Sequence, residues 1–185
     1  FNDPQVVEAL QALTAAAKEM SRWFDYLKSF DRELQGLGYP CMGGGMTFAP
    51  FDLIGDTLRG TRGIMLDMRR QPEALMAAID RLTPFAIEMG ASAAKQAGNH
   101  MVWIYLHKGA GGFMSDEQFR TFYWPSMRSL ILGLLDDGLT PCVYTEGDYT
   151  PRLESIADVP CGQVLYHFES VDIRMAKEIV GGVAC

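Results

Sequence analysis

Apolar side chains recur at helical spacing from the start of the chain, at Val6, Val7, Leu10, Leu13, Ala17 and Met20, and Asp3-Pro4 ahead of them supplies an N-cap and a first-turn proline. The pattern continues through Trp23, Phe24, Leu27, Phe30 and Leu34 until Gly36-Leu37-Gly38, where the glycines end it. Residues 1–40 therefore read as a helical lead-in. Cys41 to Thr47, glycine-rich and apolar, predicts a short buried strand that another backbone approaches closely. Asp52 to Arg59 and Ile64 to Arg70 predict short amphipathic helices, and Pro72 opens a long one that runs to about Gly98.

Beyond Gly98 the periods alternate. Met101 to Leu106 is an apolar strand, and Ser115-Asp116-Glu117-Gln118 is a capping box that opens a helix to about Asp137. Thr140 to Thr145 is the next strand, followed by a helix opened by Thr150-Pro151. A further strand spans Val164 to Phe168, a helix Asp172 to Val180, and a last strand begins at Val183. Apolar strands that alternate with helices call for a parallel sheet with crossovers. No G-x-G-x-x-G follows a strand, which argues against a dinucleotide fold. The expectation for residues 41–185 is α/β: a (β/α)8 TIM barrel present as an incomplete arc of about five β/α units, since a whole barrel takes about 250 residues.

Charge narrows the partners. The chain carries 16 Lys+Arg against 23 Asp+Glu, a net charge of −7, which disfavours nucleic acid and anionic membrane surfaces. Its four cysteines lie far apart with no C-x-x-C pair, as expected of reduced thiols. No apolar run approaches the roughly 20 residues of a membrane span, and no signal peptide opens the chain, so the expected location is the cytoplasm. Both ends look cut, at Phe1 and at Cys185. An arc with two open edges is expected to self-associate, so a homo-oligomer is possible, and inner positions such as Val143 and Leu165 would lack partners.

In parallel β/α folds, ligands bind at the carboxyl ends of the strands. There the sequence places His107-Lys108 after one strand, Glu146-Gly147-Asp148-Tyr149 after the next, and His167 and Glu169 near the end of the third. Glu146 and His167 sit on successive strands and can converge if those strands are neighbours. A carboxylate and an imidazole are two of the three protein ligands a catalytic zinc usually takes. The plain alternatives are a solvated strand-end Glu and a core His satisfied by its neighbours. Lys108 with Gly109-Ala110-Gly111-Gly112 could hold an anion, but the loop lacks the Gly-Lys-Ser/Thr ending of a P-loop. His100 reads as a surface residue, Tyr123-Trp124-Pro125 as packing, and the eleven methionines as core filler.

Several segments in order resemble the uroporphyrinogen decarboxylase superfamily: Ala49-Pro50-Phe51-Asp52, Phe113-Met114-Ser115-Asp116-Glu117-Gln118-Phe119, Tyr123-Trp124-Pro125, Glu146-Gly147-Asp148-Tyr149-Thr150-Pro151-Arg152-Leu153, and Ser170-Val171-Asp172 with Ala176-Lys177-Glu178-Ile179-Val180-Gly181. That resemblance implies a (β/α)8 barrel and one of two activities, porphyrinogen decarboxylation or methyl transfer to or from a corrinoid protein with bound zinc. The His-x-Cys zinc pair of the coenzyme M methyltransferases is absent, because those positions read Tyr144 and Glu146. The chain looks more like the ether-cleaving corrinoid methyltransferases of anaerobes, in which a Glu and a His form part of a proposed zinc motif. Glu146 and His167, with 20 residues between them, satisfy that spacing, whereas a further upstream Glu of the motif falls on Ile131.

The resemblance thus implies a zinc-assisted transfer of a methyl group from a small methylated, methoxy-type donor to a corrinoid carried by a partner protein. Glu146, His167 and His107 would be catalytic, Glu146 and His167 would bind the metal, and Tyr144, Asp148, Lys108 and Phe51 would contact substrate. The alternatives are a uroporphyrinogen decarboxylase and a non-catalytic module that binds a corrinoid protein.

Overall fold

The computed structural model describes residues 3–39 and 43–181. They divide into two compact units, residues 1–43 and 44–185. The first unit is one helix, α1 (Pro4–Gly36), in which the Asp3 carboxylate accepts the Gln5 amide at 2.9 Å and so caps the first turn. None of its residues is buried.

The second unit is a parallel four-stranded sheet with helices between the strands. Its strands are β1 (Gly45–Phe48), β2 (Met101–Leu106), β3 (Thr140–Asp148) and β4 (Leu165–Ser170), in the order β1-β2-β3-β4. Every strand pairs with the next one in sequence, with no reversal of order. That is the winding of a (β/α)8 barrel arc and not of a doubly wound sheet, whose ligand crevice needs a switch point. The strand expected from Val183, with Cys41 and Cys185, lies outside the described residues.

Between β1 and β2 run α2 (Pro50–Leu53), a π-helical turn (Ile54–Arg59), α3 (Gly60–Arg70) and α4 (Pro72–Ala97). Between β2 and β3 come α5 (Asp116–Gln118), a second π-helical turn (Phe119–Tyr123) and α6 (Trp124–Asp136). A 3-10 turn (Thr150–Arg152) and α7 (Leu153–Ile156) lead to β4, which α8 (Ile173–Ile179) follows. The capping box at Ser115 is present in both directions, and Gly98 closes α4 in the left-handed conformation at φ 67°.

Strand parity sorts the side chains. Thr47, Val102, Ile104, Leu106, Val143 and Thr145 are buried, and the Thr47 hydroxyl donates to the Ala86 carbonyl of α4 at 2.7 Å. This is the helix-covered face, closed by Leu130, Ile131 and Leu134 of α6. Val143 is therefore a fully partnered core residue and not an open inner position; only Leu165, in register with Cys142, belongs to the other face. Gly90 of α4 lets the helix close on this face, since a Cβ there would sit 2.9 Å from Val102 and 3.2 Å from Thr47.

The opposite face carries aromatic and ionisable side chains. Phe48, Tyr105, Tyr144 and His167 are register partners across all four strands, and their rings touch in turn: Phe48–Tyr105 at 6.3 Å, Tyr105–Tyr144 at 5.8 Å, Tyr144–His167 at 4.9 Å. The strands read from sequence simply as apolar; in the fold the sheet is apolar on one face and aromatic and polar on the other.

Candidate active site

The carboxyl ends of the strands gather a network that starts at Asp52. This residue leaves β1 through Ala49-Pro50 and is fully buried in α2. Its Oδ2 accepts the Tyr123 phenol at 2.5 Å and the His107 backbone amide at 2.9 Å, while its Oδ1 is buried without a partner. Burial raises the Asp52 carboxyl to about 6, against the opposing pull of Tyr123, the His107 amide and Lys108. The same burial, beside the Asp52 charge, drives the Tyr123 phenol well above its ordinary value.

His107 follows directly on β2. Its Nδ1 lies 2.6 Å from Asp56 Oδ2, and its Nε2 faces Glu146 Oε1 at 3.9 Å. Lys108, with its side chain only 6% exposed, bonds the other oxygen of Asp56. Partial burial alone would raise the Asp56 carboxyl, and the hydrogen bonds from Lys108 and His107 more than reverse this, so it titrates below the ordinary range. Gly55 makes room for the lysine, because a Cβ there would meet Lys108 Cδ and Cε at 3.0 Å.

Glu146 lies on β3 at a bulge between Thr145 and Asp148. Glu169 of β4 reaches across to accept the Gly147 amide at 2.5 Å, which ties the two strand ends together where the ladder is interrupted. Gly147 adopts φ 85°, a backbone conformation that favours glycine.

The other sequence-derived candidates divide. Tyr144 is half-buried between Tyr105 and His167. Asp148 accepts the Thr150 amide at 2.9 Å and its carbonyl accepts the Gly111 amide at 2.8 Å, so it shapes the turn into the next helix. Phe51 is wholly buried against Tyr123, with ring centroids 5.5 Å apart. Tyr123 and Trp124 do pack, yet the Tyr123 hydroxyl also serves the network. Ile131, where the third acidic ligand would fall, is fully buried in α6.

Glu146 and His167 point to the same face by strand parity. Oxygen and nitrogen donors of this kind suit zinc, but among the described residues no three His, Cys, Asp or Glu side chains come together closely enough to hold a metal ion. The pair falls short of the three protein ligands of a catalytic zinc.

Three positions of this network were not among the sequence-derived site candidates. Asp52 and Asp56 looked like the polar side of an amphipathic helix, and only the turn of that segment toward β2 brings them to His107. Arg152 is the third: its side chain is 2% exposed, its Nε donates to the Gly109 carbonyl at 3.1 Å, its Nη2 to the Met114 carbonyl at 2.6 Å, and its Nη1 lies 3.1 Å from Asp116. It holds the loop that follows His107-Lys108. A signal for the acids did exist, since Asp52 and Asp56 are spaced as neighbours on one helical face.

No curated protein gives a significant match. Among solved structures, a methyltransferase from Methanosarcina mazei is similar with a TM-score of 0.59 at 20% sequence identity, over 75% of this chain and 40% of that chain. At that identity the likeness is one of fold, and this chain spans well under half of its neighbour. The profile of the family uroporphyrinogen decarboxylase (URO-D) matches residues 1–185. With a parallel arc of unreversed strands and a polar network at their carboxyl ends, the chain belongs to the uroporphyrinogen decarboxylase family.

Proposed function

We propose that this chain is part of a methyltransferase that moves a methyl group from a small methoxy-type donor to a corrinoid carried by a separate protein. The observation that carries the reading is the His107 imidazole held between two carboxylates, Asp56 at 2.6 Å and Glu146 at 3.9 Å, at the carboxyl edge of the sheet. Demethylation of an ether leaves an alkoxide-like oxygen that needs a proton or an equivalent electrophile, and His107, once it has taken up a proton at Nε2 to become imidazolium, can supply that proton. The aromatic row of Phe48, Tyr105 and Tyr144 below it offers an apolar floor for a methylated substrate. The structural likeness to a methyltransferase agrees with this choice within the family.

In this proposal zinc would be held by Glu146 and His167 together with a further protein ligand, and would act as a Lewis acid toward the donor oxygen. The chain's own contribution is the orientation of His107 by Asp52 and Asp56 and the walling of the site by the aromatic row. Self-association in the cytoplasm completes the reading; no helix among the described residues is long and apolar enough to cross a membrane.

The test is methyl transfer from a panel of aryl methyl ethers to reduced cobalamin by the full-length protein, followed as methylcobalamin, with zinc content measured in parallel. Glu146→Gln and His167→Ala should lose zinc, and His107→Gln should slow transfer by about a hundredfold. The second reading, decarboxylation, draws on the family's named activity. Carboxyl loss from uroporphyrinogen with no methylcobalamin from any donor would establish it and reject methyl transfer.

A further inference from the structure

Asp56 meets two cationic or cationisable side chains at once, His107 through Oδ2 and Lys108 through Oδ1. It sits in a π-helical turn, Ile54–Arg59, a local winding that costs helix hydrogen bonding and concentrates at functional sites. The turn is braced at its end: Arg59 holds Asp67 of α3 with two hydrogen bonds, at 2.5 and 2.9 Å. Asp56 is thus delivered from a fixed piece of backbone.

The chemistry of the contact sets the proton. Asp56, a third exposed and bonded by Lys108, is ionised at neutral pH, and an ionised carboxylate can only accept. At 2.6 Å, His107 Nδ1 must therefore carry the hydrogen. Nε2 is then the ring atom left toward Glu146, at 3.9 Å on the open face of the sheet. The backbone of the same residue is pinned separately by Asp52 through its amide, and the edge of Phe48 stands against the ring at a centroid distance of 5.8 Å.

We propose that Asp56 is a positioning residue: it locks His107 in the Nδ1–H tautomer and aims Nε2 at the space where substrate meets the sheet edge. Only the identity of what Nε2 meets rests on the methyl-transfer reading. A carboxylate that merely neutralised the buried Lys108 would leave the tautomer of His107 unaffected when removed.

The experiment is two-bond nitrogen–proton correlation spectroscopy on the 15N-labelled full-length protein with neutral histidines, the His107 signals being identified by their loss in His107→Gln. Wild type should show a protonated Nδ1 and a bare Nε2. Asp56→Ala should convert the ring chiefly to the Nε2–H form that free imidazole prefers. Asp56→Asn, whose amide oxygen still accepts, should retain the Nδ1–H form in good part. Lys108→Met should leave it in place, because a carboxylate a third exposed stays ionised at neutral pH without the lysine; where Asp56→Ala does not fold, the wild-type tautomer and Asp56→Asn decide. An Nε2–H ring in the wild type, or the same tautomer in wild type and Asp56→Ala, would overturn the inference. If methyl transfer is never found while the tautomers behave as stated, the proposed reaction fails and the positioning role stands.

Discussion

Tyr144 and His167 meet edge to face, their ring centroids 4.9 Å apart and their planes at 89°, because they are register partners on β3 and β4. Contact of this kind across two strands is worth roughly 0.5–1.5 kcal/mol beyond the area it buries. Tyr144→Phe preserves the ring and should unfold in urea like the wild type. Tyr144→Ala should lower the unfolding free energy by about 1–2 kcal/mol and free the His167 ring, visible as broadened or averaged His167 resonances. Equal stability of the two variants would show that the ring contact contributes nothing.

Gly109 is fixed by what lies against it. A Cβ there would collide with the Tyr149 hydroxyl and stand 2.8 Å from the Tyr123 ring. Those rings are buried core members, so neither can swing aside freely. The Tyr149 hydroxyl is buried without a hydrogen bond of good geometry, although it is near enough to Tyr123 for the two phenols to influence each other electrically. Gly109→Ala should therefore destabilise the fold by about 1–3 kcal/mol, and Tyr149→Phe, which removes the struck oxygen, should recover much of that loss in the double variant. Additive effects across this mutant cycle would contradict the steric account.

Arg152 joins three points of the loop that carries the site. Its guanidinium satisfies two buried carbonyls, Gly109 and Met114, and lies 4.6 Å from the centroid of the Phe119 ring. A lysine has neither the planar fork nor the reach to serve both carbonyls, so Arg152→Lys is not a mild change. Both Arg152→Lys and Arg152→Ala should cost about 2–4 kcal/mol. Amide exchange should also quicken from Gly109 to Met114 before it does in β2. Unaltered exchange in that loop would remove Arg152 from its support.

The parts of the fold that the sequence exposed are those governed by local chemistry. Met101–Leu106 has the bounds its apolar run implied, and the helix from Pro72 closes at Gly98 because glycine adopts that left-handed cap without the Cβ penalty. The single helix expected from Ser115 to Asp137 is instead interrupted by the π-helical turn Phe119–Tyr123, which rotates the Tyr123 hydroxyl onto Asp52. That interruption answers to a residue 71 positions away, so no local pattern could show it. β3 likewise runs on through Glu146 to Asp148 where a loop was expected, because Glu169 and Ser170 of β4 supply ladder and side-chain partners to the bulge. Glu146, His107 and His167 were visible as strand-end residues. Their partners Asp52 and Asp56 were hidden in an amphipathic pattern that serves equally well for a surface helix.

Asp52 should leave a mark on the pH dependence of stability. Its carboxyl titrates near 3.8 in the unfolded chain and at about 6 in the fold, raised chiefly by burial. Between those values the folded state keeps a proton that the unfolded state has released, so stability falls as pH rises through this window. Below the window Asp52 imposes no such cost, and above pH 6 the cost is complete, on the order of 3 kcal/mol at about 1.4 kcal/mol per pH unit. Asparagine is suited to remove it. Tyr123 and the His107 amide both donate to Oδ2, so the amide oxygen of Asp52→Asn can take both bonds, and its nitrogen falls where Oδ1 has no partner. Urea unfolding at pH 4, 5, 6 and 7 should find the variant gaining on the wild type from pH 4 to 6 and holding a constant advantage thereafter. A stability difference that stays the same at all four pH values would mean that Asp52 keeps an ordinary carboxylate's affinity for its proton despite its burial.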